Sequence, residues 1–69
     1  MITLKDIQIK LAEAIKQSGL TQKSIAEKIN VSQSSIAHYV KGDKMPALDT
    51  FANLCVLLDL DANDILSIS

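Results

Sequence analysis

Between Gly19 and Gly42 the sequence encodes two helices that cannot stand alone. Thr21 offers a side-chain oxygen to the free amides at the start of the first. Ile25, Ala26 and Ile29 then form a short apolar stripe, and Asn30 takes the turn, since Asn tolerates the left-handed conformation. Val31 plugs that turn. Ser32 caps the second helix, which runs from Gln33 to about Val40 and is closed by Gly42. Each helix is about two turns long, below the length at which an isolated helix is stable in water. Any fold open to this chain must therefore pack the two against each other and against the remaining residues.

Those remaining residues also read as helices. Thr3 followed by Asp6 resembles a capping box, and Leu4, Ile7, Leu11 and Ile15 repeat at helical spacing as far as Ser18, where Gly19 closes the element. Lys41 to Pro46 is a polar loop. A fourth helix is expected from about Leu48 to Leu58, burying Leu48, Phe51, Leu54, Cys55 and Leu58. Leu60 covers the next turn, and Asp61 caps a short fifth helix carrying Ile65 and Leu66. With no repeat, low-complexity tract or linker, residues 1–69 read as one all-α domain of five packed helices.

The composition, 48% hydrophobic with 3% aromatic residues, gives that domain an aliphatic core and argues against disorder. Cys55 is the only cysteine, so no disulfide is available, and within Leu54–Leu58 it reads as a small buried hydrophobe. The single cysteine and single histidine lack the partners that a metal site needs, so neither metal nor cofactor is expected. A reduced thiol agrees with a cytoplasmic setting. Residues Ile2 to Lys10 mix charged with apolar side chains, unlike a secretory signal, and the apolar run Leu54–Leu58 is too short to cross a bilayer. A soluble, cytoplasmic protein without membrane association is expected.

The net charge of −1 is unevenly placed. All seven lysines lie in residues 1–44 with only Asp6, Glu13, Glu27 and Asp43, leaving +3 there; residues 45–69 hold Asp49, Asp59, Asp61 and Asp64 and no lysine. Such a domain can turn a basic side to an anionic partner while its acidic side faces away.

The order helix, tight turn, helix between Gly19 and Gly42 resembles the lambda-repressor-like (Cro or Xre type) helix-turn-helix family. Leu20-Thr21-Gln22-Lys23-Ser24-Ile25-Ala26 is similar to its first motif helix, and Val31-Ser32-Gln33-Ser34-Ser35-Ile36 to the entry of its recognition helix. Gly42, Pro46, Phe51, Leu54, Leu58 and Leu60 match the passage that follows, so the resemblance covers essentially the whole chain, with the motif at about 21–41. It implies a double-stranded DNA-binding transcriptional regulator, a repressor by expectation. Two departures stand out. Ile15 and Val40 occupy positions where many members carry an Arg–Glu pair, so the first and third helices should meet by apolar packing; Asn30 replaces a common Gly.

On the helical period Gln33, Ser34, Ala37 and His38 share one face, roughly opposite Ile36 and Tyr39. The resemblance makes these four the base readers. Their chemistry suits that role: Gln pairs bidentately with adenine, Ser serves several bases, Ala meets a thymine methyl. Gln22 and Lys23 sit at a helix N-terminus that favours anions. Lys41 and Lys44 flank Gly42 in the loop after the recognition helix, and the family uses both regions on phosphate. Ser35 and Thr21 are further phosphate candidates, although Thr21 is also a cap.

No carboxylate pair, nucleophile–histidine arrangement or glycine-rich phosphate loop supports an enzyme. The alternative to DNA binding is a protein-interaction module or antitoxin of the same fold, served by the acidic C-terminal half. One module covers little DNA, so a weak homodimer on a palindromic operator is expected, paired through Val56, Leu57 and Ile68.

Overall fold

The computed structural model describes residues 1–68. Its elements follow the local chemistry closely: α1 spans Leu4–Gln17, α2 Gln22–Ile29, α3 Gln33–Lys41, α4 Leu48–Leu58 and α5 Ala62–Leu66. The described residues contain no strand.

Side chains start four of the five helices. The Thr3 hydroxyl accepts from the Asp6 amide at 3.2 Å while the Asp6 carboxylate accepts from the Thr3 amide at 3.4 Å, a reciprocal capping box. Thr21, Ser32 and Asp61 each accept one amide of the first turn of α2, α3 and α5, at 3.0, 3.2 and 2.9 Å. Such caps are worth about 1 kcal/mol each. The exception is α4, which starts at Ala47 with no side-chain cap.

Chain reversals fall on residues in the left-handed region. Asn30, at φ 59°, turns the chain between α2 and α3, and Gly42, at φ 76°, ends α3. Asp59 and Ser67 take the same conformation at the ends of α4 and α5. At the last of these, Lys10 reaches across from α1: its Nζ donates to the Asp64 carbonyl and to the Ser67 hydroxyl, placing a cation at the negative end of α5.

The core joins all five helices. Leu11, Ile25, Ile36 and Leu54 are at most 1% exposed, one from each of α1 to α4, and Ile65 of α5 joins them with Ile15, Ala26, Tyr39, Phe51 and Cys55. Full burial of such an aliphatic side chain contributes about 1.5–3 kcal/mol, which offsets the cost of ordering helices too short to form alone. Small Ala26 is buried on α2, which packs against α3 and α4. Ile15 is buried and Val40 packs half-buried on the same cluster, so α1 and α3 meet through apolar contact.

Leu48, expected in the core, lies outside it, as does Leu4, the first of the apolar repeat on α1. Leu48 is 82% exposed and Leu4 60% exposed. Both occupy the first position of a helix, where the side chain tilts toward the N-terminus and projects past the end of the packed layer. Leu58 is half-buried at the edge of the cluster. Lys41, expected in the loop, is the last residue of α3.

Candidate nucleic-acid interface

The outward side of α3 is built by what its other side buries. Ile36 and Tyr39 point into the core, which leaves Gln33, Ser34 and His38 exposed and Ala37 half-buried between them. The Ser32 cap holds the entry: its Oγ lies 3.3 Å from Ser34 Oγ and 2.8 Å from Ser35 Oγ, besides accepting the Ser35 amide. Ser35 is half-buried and tied to this cap, which sets it apart from the freely exposed Gln33.

At the start of α2, Lys23 is exposed and Gln22 half-buried. The Ser24 amide goes to the Thr21 side chain and the Ile25 amide to the Thr21 carbonyl, leaving the Gln22 and Lys23 amides as the donors free of helical partners. Thr21 is thus engaged as a cap, its hydroxyl hydrogen still available. Because α2 packs directly on α3, these donors and the α3 face belong to one rigid pair of helices.

Lys41 and Lys44 are exposed on either side of Gly42. Lys41 also lines an open cleft of about 280 Å³ between α1 and the end of α3, together with Lys5 and Lys16. Nothing in the sequence marks those two lysines, since only the packing of α1 on α3 lines one cleft with them, Glu13 and Lys41. Asp43, in the loop after Gly42, lies 2.9 Å from the His38 ring.

The residues expected to pair two copies are unequal. Val56 is 82% exposed and Ile68 51% exposed, but Leu57 packs half-buried on the core. Leu48 and Ala52, two turns and one turn before Val56, are exposed on the same side of α4. Cys55 is a buried free thiol, its pKa raised first by burial and then by the charge of Asp61, so the reactive thiolate is suppressed. Among the described residues no group of three or more His, Cys, Asp or Glu side chains is placed to hold a metal ion, and no helix is long and apolar enough to cross a membrane.

A family model described as "Helix-turn-helix" matches residues 11–65, from the middle of α1 into α5. Comparison with curated proteins and with solved structures returns no match.

Proposed function

The chain belongs to this Cro/Xre-type, lambda-repressor-like helix-turn-helix family of DNA-binding regulators, and on that premise we propose that it is a cytoplasmic repressor that reads a specific operator with α3. The observation that carries the reading is the exposed face of Gln33, Ser34, Ala37 and His38 on a helix whose opposite side is locked into the core. A helix so held presents its N-terminal side chains to base edges in the major groove at fixed register.

Positioning falls to the rest of the surface. The free amides of Gln22 and Lys23, the Lys23, Lys41 and Lys44 side chains, and the hydroxyls of Thr21 and Ser35 meet backbone phosphates. Lys5 and Lys16 extend this basic surface across the cleft beside Lys41. Two copies load on a palindrome through the exposed side of α4, with Val56 at its centre and Leu57 at its edge, joined by the exposed Ile68 that follows α5. Occupying the operator excludes other proteins from it, which suffices for repression.

Titration with duplex DNA at low and moderate salt tests the reading. Binding that weakens linearly in log–log form as salt rises supports it, because neutralised phosphates release counterions. Absence of any salt-dependent binding favours instead a protein partner for the acidic, apolar α4 surface.

A further inference from the structure

His38 and Asp43 face each other across the C-terminal turn of α3, with Nδ1 2.9 Å from Oδ1. The pairing has a local cause. Gly42, at φ 76°, reverses the chain, and the amides of Gly42 and Asp43 both donate to the His38 carbonyl, at 3.0 and 3.3 Å. Residue 43 is thereby folded back beside residue 38. An ionised carboxylate can only accept, so the hydrogen of this bond sits on Nδ1. In the neutral ring that leaves Nε2 as a bare acceptor. The His38 side chain retains 46% of its exposure, one helical turn on from the exposed Ser34.

We propose that Asp43 sets base specificity at one position of the operator, by holding His38 in the tautomer whose Nε2 accepts from the exocyclic amine of adenine or cytosine. The proposal rests on the reading of α3 as the helix that meets base edges. In the major groove adenine N6 and cytosine N4 donate, whereas guanine O6 and N7 and thymine O4 accept. A ring fixed with a bare Nε2 therefore favours the amino bases on the strand it faces. Released from Asp43, the ring can carry its hydrogen on Nε2 and turn to acceptors instead, the keto bases and adenine N7, while cytosine offers it none. Asp43 is a positioning residue here: it acts on the base through His38, without touching DNA.

Two measurements test this, on the wild-type chain and on Asp43→Asn, Asp43→Ala and His38→Ala. The first is 15N NMR of the His38 ring in the free protein at pH 8.5, where an ordinary imidazole is neutral. The Nδ1–H tautomer is expected in the wild type and in Asp43→Asn, whose amide oxygen still accepts, and the Nε2–H tautomer in Asp43→Ala. The second is selection of bound sequences from a random duplex pool, with His38→Ala marking the position that His38 reads. There the wild type and Asp43→Asn should favour adenine or cytosine by roughly fivefold, the worth of one ordinary hydrogen bond. Asp43→Ala should lose or reverse that preference while the position read by Gln33 is unchanged. An Nε2–H ring in the wild type overturns the inference, as does an unaltered preference in Asp43→Ala or a His38→Ala variant that changes no position. A wild-type chain that enriches no sequence at all fails the underlying DNA reading instead, whatever the ring shows.

Discussion

The Val31 amide donates to the Ala26 carbonyl at 3.0 Å, closing the turn that separates α2 from α3. The bond skips back five residues because Asn30 between them sits at φ 59°, ψ 48°. It gives the Val31 amide a partner at a carbonyl that also accepts the Asn30 amide, and it delivers Val31 to the core. The spacing of the two motif helices thus depends on one left-handed residue.

Substitution of Asn30 should follow that geometry. Asn30→Gly is expected to be neutral or slightly stabilising, because it removes the Cβ, whereas Asn30→Ala should cost about 1 kcal/mol, because it keeps the Cβ and loses the short polar side chain by which Asn tolerates the left-handed region. Urea unfolding of the two variants checks the order. Equal destabilisation by both would show that the Asn side chain, rather than the backbone conformation, matters.

Gln33 is exposed in the first turn of α3 and free of the Ser32 cap network. Gln33→Ala should relax preference at one base pair in each half-site, by about 1–3 kcal/mol for a lost bidentate contact. Competition assays with specific and random duplexes measure this. Equal loss on both would remove Gln33 from the base readers.

Lys41 ends α3 and Lys44 lies exposed in the loop beyond it. Lys41→Ala and Lys44→Ala should each weaken binding to all sequences alike and lower the salt slope by about one. A change in base preference with an unchanged slope would contradict their assignment to phosphate.

Much of this was legible because it is local. Thr3, Thr21, Ser32 and Asp61 cap helices using neighbours two or three residues away, and Asn30 and Gly42 turn the chain by their own backbone preferences. Periodicity placed Ile36 and Tyr39 inward and hence Gln33 and Ser34 outward. It failed at Leu4 and Leu48, because an angle around the helix axis does not say that the first side chain overhangs the core's edge. The contact of Lys10 with Ser67 spans 57 residues, and only the folded chain reveals it. The His38–Asp43 pair lay nearer to view: a histidine four residues before a helix-closing glycine, and an acid just after it, is a pattern that the fold-back brings together.

Assembly depends on α4. Sedimentation of the free chain should show a monomer, and titration onto a palindromic site should show cooperative loading of two copies whose half-sites lie about 34 Å apart. Val56→Glu should remove the cooperativity while sparing the fold, since Val56 is 82% exposed; Leu57→Glu, at a half-buried position, should also lower stability. Unchanged cooperativity in a folded Val56→Glu, Leu57→Glu double variant would rule out this surface.

Selection of bound duplexes from a random pool, repeated with Gln33→Ala, tests most directly whether α3 reads DNA. The account predicts that the wild type recovers a palindrome of two half-sites, and that Gln33→Ala recovers the same palindrome degenerate at one symmetric pair of positions. Failure of the wild type to enrich any sequence at moderate salt, or enrichment of an identical site by Gln33→Ala and by a variant with Ser34, Ala37 and His38 also replaced, would contradict it.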